Sequence, residues 1–409
     1  METNITTRVI RSVAEIEQIR GTWESWQVHP NTDIDFFLAN LKTEAPHPRP
    51  YVVMSYRGSK PESMLVGRIL DRRMDIKVGY ANFFRPRVRT LSFSYAGHLG
   101  TDSAEGSAAL VSQIVSSLSD KEADLATLKG VKPESPLLGA ALHLPGVLSR
   151  DRFPGVRVHR SLVLPGTFEE FQLSLSGDER REQRRCAKRL VQECSGDLKI
   201  ERLSEPADVD RLFRDVEEVA KKTYQRGLGV GFADTPNLRQ LFLLDAERGR
   251  LYAYVLYLAG KPCAFWIGTL YGCKFHSGYM GYDPAFRRYS LGTYLLIRVI
   301  EAFYGKEQAH RVSEIDFGLG DAQYKEMLGN RSWQEANIYV FAPTLKGVGL
   351  NAYRSPAILL DRCVRKALER TQLLQRVKRT WRRRAAKAHQ LPQKPLFSGA
   401  NRVPADNSR

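Results

Sequence analysis

Cysteine is scarce in this chain, with five residues in 409, and no two of them form a CxxC pair or a zinc-site spacing. Single thiols at positions 186, 194, 263, 273 and 363 suit a reducing compartment and argue against a disulfide-stapled fold. Long apolar runs are also missing. No window reaches the roughly 18 apolar residues of a membrane span. The opening METNITTRVIRSV has no apolar run of signal-peptide length, so a cytoplasmic protein is expected. The chain has no HExxH, no G-x-S-x-G and no P-loop Gly-Lys-Ser/Thr. That removes the common zinc-hydrolase, serine-hydrolase and nucleotide-hydrolase readings. Acidic residues run out at one end, where residues 361–409 carry fourteen Lys/Arg against three Asp/Glu.

What is present is a globular composition, 43% hydrophobic and 26% charged. The net charge of +17 would suggest a nucleic-acid partner, but most of it lies in the tail and the body is only mildly basic. Period-two alternation marks strands in RPYVVMSYRG, ESMLVGRIL and LSFSYAG. A helical stretch from Ser103 to Leu118 follows, then the strand ADLATLKGV, a short helix SPLLGAALHL and the strand HRSLVLP. The second half repeats this order. LYAYVLYLAG and KPCAFWIGTLYG form a hairpin around Gly260-Lys261-Pro262, and KFHSGYMGY is the next strand. Then come a helix over Leu291–Tyr304, the strand SEIDFG, the short helix AQYKEMLG and the closing strand QEANIYVFAP. The fold class expected is α+β. Two tandem units, each a mixed, mainly antiparallel sheet flanked by helices, would occupy 1–170 and 171–350, with a basic tail over 351–409 that is helical and then disordered.

The segment YDPAFRRYSLGTYLL, residues 282–296, puts two arginines, a serine and a glycine between a strand and a helix. A helix start presents N–H groups without intrahelical partners and the positive end of the dipole. Small residues let an anion approach, and arginines add charge. Arg287, Arg288, Tyr289, Ser290, Leu291, Gly292 and Thr293 therefore read as a phosphate-binding turn. Upstream, residues 178–196 form a helical sequence with six Lys/Arg between Arg180 and Arg189. This is either a solvated face or a basic surface beside an anionic ligand.

Arg287–Gly292 resembles the Arg-x-x-Gly-x-Gly coenzyme A loop of the GNAT acyltransferase superfamily, with Ser290 in place of the first glycine. The following SEIDFG and Tyr324–Gly329 resemble the next GNAT strand and the helix with its Tyr-x-x-x-x-Gly pattern. More narrowly, the Ser-x-Gly helix start, the Asp-x-Gly-x-Gly and Tyr-Lys motifs and the basic segment are similar to CelD-type proteins of cellulose and exopolysaccharide synthesis. Those share a double GNAT organisation with the FemAB-type aminoacyl transferases. The resemblance implies a GNAT-type N-acetyltransferase that uses acetyl-CoA or another acyl-CoA as cosubstrate and needs no metal. It implies a sugar, amino sugar or other amine as acceptor, and a first unit that is degenerate because it lacks arginines in its loop.

Within that chemistry Tyr324 is the candidate acid for the departing thiolate, and Lys325 a substrate-binding or charge-stabilising neighbour. His276 and Asp316 are the candidate bases, with Asp321 competing and Asp283 assigned to capping its turn. Two alternatives stay open. One is a FemAB-like transferase that takes its aminoacyl group from tRNA, the one case in which nucleic acid would bind. The other is a non-catalytic GNAT-fold scaffold in a polysaccharide complex. Residues 361–389, basic with interspersed leucines and Trp381, fit an anionic surface on the inner face of the membrane, or nucleic acid, or equally a disordered solubilising tail.

Overall fold

The computed structural model describes residues 5–370 apart from 45–46, 79–80, 194–197, 228–230 and 306–311. Cys194, the end of the basic segment and the tail beyond Arg370 thus lie outside the described residues. The first half contributes strands β1 (Ile5–Ile10), β2 (Arg49–Arg57), β3 (Lys60–Arg73), β4 (Ile76–Val78), β5 (Ala81–Phe84), β6 (Arg87–Gly100), β7 (Leu125–Val131) and β8 (Gly155–Val163). The second half contributes β9 (Leu198–Arg202), β10 (Leu251–Leu258), β11 (Lys261–Tyr271), β12 (Lys274–Tyr282), β13 (Glu314–Leu319) and β14 (Arg331–Phe341). β4 and β5 form a separate hairpin. The other twelve make one continuous sheet in the order β1-β2-β3-β6-β7-β14-β8-β13-β12-β11-β10-β9.

That order is α+β and mainly antiparallel, and it also contains an exchange. β8, the last strand of the first half, pairs with β13 of the second, while β14, the last strand of the second half, pairs with β7 of the first. The two exchanged strands pair with each other at the centre. Each half keeps one parallel pair, β6 with β7 and β12 with β13. The exchange joins the halves by ladder hydrogen bonds, so the sheet crosses the boundary expected at residue 170 without a break.

Local chemistry explains the connections. β10 and β11 are joined by Ala259 and Gly260, at φ 48° and 71°, with Leu258 opposite Lys261. Two consecutive positive φ values give the tight turn whose twist matches that of the strands. One side of the second half carries the helix Leu291–Phe303 on Tyr252, Trp266, Phe275 and Ile315. The other carries the helices Val209–Ala220 and Pro236–Glu247 on Val255, Phe265 and Ile267. The helix Leu345–Arg370 begins before the tail boundary expected at 351, with Leu350, Asn351, Arg354 and Ser355 buried against the body. Among the described residues no helix is long and apolar enough to cross a membrane.

Candidate active site

β12 and β13 pair only over Lys274–His276 and Glu314–Asp316, although β12 runs on to Tyr282 and β13 to Leu319. Beyond His276 and Asp316 the two strands are no longer paired. A bulge reinforces the opening. Ile267 faces Tyr279 and Gly268 faces Ser277, so Gly278 is the extra residue.

On one side of this gap lies the turn singled out in the sequence. Pro284–Tyr289 is a 3-10 turn, capped by Asp283, which accepts the Ala285 N–H at 2.9 Å and pairs with Lys222 at 2.8 Å. Ser290 stands at φ 51°, ψ 42°, in the left-handed region that glycine enters freely. No side chain caps the helix it opens, so the first-turn N–H groups remain available to a ligand. Arg287 is exposed and makes no ion pair among the described residues. Arg288 stacks over the Tyr289 ring at 4.6 Å and pairs with Glu193 at 3.0 Å. The side chains of Tyr289 and Leu291 are buried in the core, which leaves only their backbone to a ligand.

The basic helix Gly177–Glu193 packs beside this turn. Cys186 approaches the Ser290 hydroxyl at 3.7 Å, and Arg184, Arg185 and Lys188 are exposed. Burial raises the Cys186 thiol pKa, the reverse of what a nucleophilic cysteine needs. These features fit a coenzyme pyrophosphate: an uncapped helix start, small residues in the approach, and a basic helix alongside.

In the first half the matching helix start, Ser103 before Ala104–Ser119, is already filled. Ser103 accepts the Gly106 N–H at 3.0 Å and donates to Glu62 at 2.8 Å, and Asp102 accepts from Ser107 and Ser135. Carboxylates sit there in place of a ligand's charge.

On the other side of the gap is a cavity of about 460 Å³. Phe36, Leu238, Leu241, Phe242, Ile267 and Tyr279 give it apolar walls, and it ends on His29, His276 and Asp316. Asp316 is buried at the centre of a chain of ionisable groups. Its Oδ1 lies 2.5 Å from His159 Nε2 and accepts the Gly318 N–H at 2.7 Å, and its Oδ2 lies 3.3 Å from His276 Nδ1. His159 Nδ1 is 3.2 Å from Glu335, which also accepts from the Tyr95 hydroxyl at 2.8 Å and from Trp333 Nε1 at 2.7 Å. The Trp333 ring stacks on His159 at 4.3 Å. Gly130, at φ 67°, makes room for Tyr95, because a Cβ there would lie 2.3 Å from the Tyr95 ring.

The electrostatics follow from this geometry. Burial alone would neutralise His159, but Asp316 and Glu335 outweigh it and push its pKa up to about 9. Asp316 is likewise opposed by burial, and the two histidines hold it well below the usual carboxylate range. Burial, with His276 nearby, lowers His29 to about 3, so its imidazole is neutral. The Tyr95 phenol, buried and facing Glu335, is held well above its ordinary value and stays a donor. His276 Nε2 is buried and has no hydrogen-bond partner among the described residues. The ring of His29 lies edge-on to that of His276 at 4.4 Å.

Three of these groups, His29, His276 and Asp316, offer atoms within 4.8 Å of one another, a spacing a metal ion could use. The tautomer of His29 opposes that use. Its Nδ1 accepts the Asn31 N–H at 3.0 Å, so in the neutral ring Nε2 carries the proton and has no lone pair to offer.

The structure thus brings His276 and Asp316 together and gives Lys325 and Asp321 other hydrogen-bond partners. Tyr324 is half-buried with its ring edge-on to Phe317 at 5.9 Å. Phe317 follows Asp316 along β13 and faces the opposite side, so Tyr324 lies on the side of the sheet that carries the helix Leu291–Phe303. Lys325 is buried, and its Nζ donates to the carbonyls of Gly318 and Leu319 at 3.2 and 2.9 Å, pinning the end of β13. Asp321 is exposed and pairs with Arg160 at 3.0 Å.

Sequence reasoning missed His29, Tyr95, His159 and Glu335. The first three come from the half read as degenerate, which therefore builds one wall of the cavity. Its loop is fixed to the second half by Asp33, which pairs with Arg250 at 2.7 Å and Arg248 at 3.3 Å. A readable signal existed: a histidine and a glutamate at inward positions of alternating strands.

Residues 177–326 match the family model described as an acetyltransferase (GNAT) domain. The match contains the turn, His276, Asp316 and Tyr324, and it excludes His29, Tyr95, His159 and Glu335. No curated protein matches the chain by sequence. Among solved structures, FemX is similar with a TM-score of 0.51 at 12% identity, covering 82% of this chain and 97% of that one. The C-terminal domain of a putative lysylphosphatidylglycerol synthetase from Agrobacterium fabrum gives 0.48 at 13% identity, covering 85% and 98%. A tandem GNAT protein from the clavulanic acid biosynthesis pathway gives 0.46 at 14% identity, covering 83% and 99%. At such identities the likeness concerns the fold alone. The protein is an acyltransferase whose second half holds a GNAT-type acetyltransferase domain.

Proposed function

We propose that the protein transfers the acyl group of an acyl-CoA, acetyl-CoA in the first instance, to an amine or hydroxyl of an acceptor in the cavity. His276 serves as general base. One observation carries this reading: the buried, unpartnered Nε2 of His276, on a ring whose Nδ1 lies beside the Asp316 carboxylate. Buried polar atoms are rarely left without a partner, and an arriving N–H or O–H would supply one.

With its proton on Nδ1, toward Asp316, His276 presents a lone pair to the acceptor. As the acceptor attacks, Nε2 takes its proton, and Asp316 stabilises the imidazolium that forms. His159, held as a cation between Asp316 and Glu335, fixes the carboxylate in place. Acyl-CoA supplies the activated thioester. Arg287, the first-turn N–H groups over Leu291–Thr293 and the basic helix Gly177–Glu193 would hold its phosphates. The unpaired edges of β12 and β13 suit an extended chain bearing amides. Tyr324, on the thioester side of the sheet, is the group suited to protonate the thiolate.

The motifs shared with CelD-type proteins support an amino sugar or related precursor of a surface polysaccharide as acceptor, acylated in the cytoplasm. Phe242 and Tyr279 offer aromatic walls for the C–H face of a sugar ring, and Thr269 with Asp245 offers hydrogen-bonding groups. Calorimetric titration with acetyl-CoA, followed by an acceptor panel of amino sugars and simple amines, tests the proposal. The expected result is binding that falls about tenfold or more in Arg287→Ala/Arg288→Ala, as loss of charge-assisted hydrogen bonds worth about 1.5–3 kcal/mol implies. A folded protein that ignores acyl-CoA but consumes aminoacyl-tRNA would replace this reading with the FemAB-like one. A protein that turns over neither donor would leave the scaffold.

A further inference from the structure

The helix Leu345–Arg370 has two unlike faces. Its inner face is fixed by Arg354 on Asp151 at 2.5 Å and by Asn351, which donates to the carbonyls of Leu148 and Arg150. Its outer face is apolar. Leu345 is 97% exposed, Tyr353 66%, Leu359 46% and Leu360 53%, and Ala352, Pro356 and Cys363 are exposed as well. Positions 345, 352, 356, 359 and 363 recur at helical spacing, so these residues form one stripe. Phe84, from the β4–β5 hairpin, is 47% exposed and extends the stripe, its ring 5.8 Å from Tyr353.

Basic residues border this stripe. A surface cleft of about 710 Å³ is lined by Arg72, Arg73, Arg87, Arg89, Lys121 and Lys346, with Asp71 and Asp124 as its carboxylates. Asp71 pairs with Arg89 and Asp124 with Lys346, which leaves the cleft a surplus of positive charge. Lys346 links the cleft to the stripe, lying one and two heptads from Tyr353 and Leu360 on the same helix face. In sequence, the chain beyond Arg370 continues the pattern. Residues 371–389 hold seven Lys/Arg and no Asp/Glu, among Leu373, Leu374, Val377 and Trp381.

We propose that this face docks the enzyme on an anionic lipid bilayer. Tyr353, Leu359, Leu360 and Phe84 would enter the headgroup boundary, and the basic cleft would lie against lipid phosphates. The apolar stripe selects this occupant. A nucleic acid would use the cations but gain nothing from exposed leucines, whereas a bilayer uses both. The proposal is independent of which acceptor the cavity takes.

The test is co-sedimentation of the full chain with phosphatidylcholine vesicles, with and without about a third phosphatidylglycerol, at low and high salt. The expected result is binding to anionic vesicles that weakens with salt. It should fall about tenfold or more in Tyr353→Ser/Leu359→Ser/Leu360→Ser, with acyl-CoA affinity unchanged as a check on folding. Several results would overturn the proposal. These are no binding to anionic vesicles, equal binding to neutral ones, or full binding by the triple variant. So too would a dimer in sedimentation equilibrium that dissociates in that variant, which would make the face an interface between copies. Binding to tRNA in place of vesicles would assign the cleft to nucleic acid instead.

Discussion

Asp316→Asn tests the buried chain most directly, because it keeps the volume and removes the charge that both histidines share. In the native site Oδ1 serves His159 and the Gly318 N–H, and Oδ2 faces His276. An asparagine can keep its oxygen toward His159 and Gly318, but its amide N–H then points at His276 Nδ1. The ring answers by moving its proton to Nε2, and the lone pair that should face the acceptor is gone. General-base catalysis contributes typically 10²–10⁴-fold, and at 1.36 kcal/mol per tenfold this is about 2.7–5.4 kcal/mol of barrier. Breaking a buried pair from one side also destabilises the fold, by roughly 3–5 kcal/mol. The two effects are of similar size, so the assay must separate them. Rates should be taken at a temperature where circular dichroism shows the variant folded, with exposed Asp321→Asn as control. The expected outcome is kcat down 10²–10⁴-fold and little change in KM for acyl-CoA, whose proposed contacts lie on the other side of the sheet. A folded Asp316→Asn protein whose kcat stays close to the parent's would refute the base assignment.

The same chain makes stability depend on pH. The His159 pKa rises from 6.5 to about 9 on folding, so its contribution is full below 6.5 and lost as pH climbs through 9, by about 3 kcal/mol. His29, lowered to about 3, acts on the acid side, where the unfolded chain takes up its proton below 6.5 and the folded one does not. Urea midpoints should therefore peak near neutrality, and a His159→Gln variant should lose most of the alkaline fall; an unchanged alkaline limb would refute the ionisation of His159. Chelation gives a separate check on the donor tautomer of His29: prolonged EDTA dialysis should leave both activity and thermal stability unchanged, and loss of either, restored by a divalent ion, would show that His29, His276 and Asp316 hold a metal.

How much of this was legible in the sequence depended on the range of the interaction. The turn proposed to hold the coenzyme phosphates could be singled out because its parts are contiguous: the capping aspartate, the arginines and the small residues all lie within one strand-to-helix connection. His276 and Asp316 were readable singly, by residue type and by position near strand ends. Their partnership was not, because it comes from the parallel register that sets His276 opposite Asp316. Lys325 was expected to bind substrate or stabilise charge, and the two carbonyls at the end of β13 that draw it inward are not visible from the short helix that carries it. Glu335 and His159 sit in strands whose alternation was recognised, but which sheet neighbours those strands would find depends on the exchange, and no local pattern encodes it.

That exchange also explains why the first half persists although its own helix start is closed by Glu62, Asp102 and Ser103. If β8 stayed beside β7, the strand left for β13 would be β14, and the side chains that β8 and β14 carry would meet other neighbours. With β8 beside β13, His159 is carried to Asp316, and with β14 beside β7, Glu335 is carried to Tyr95. The ladder that joins the halves and the chain that charges the site are therefore the same strands. A substitution that loosened the central β8–β14 pair would act on stability and on the proposed base together. The first half serves as the outer wall of the cavity and as the source of the cation that holds Asp316 in place.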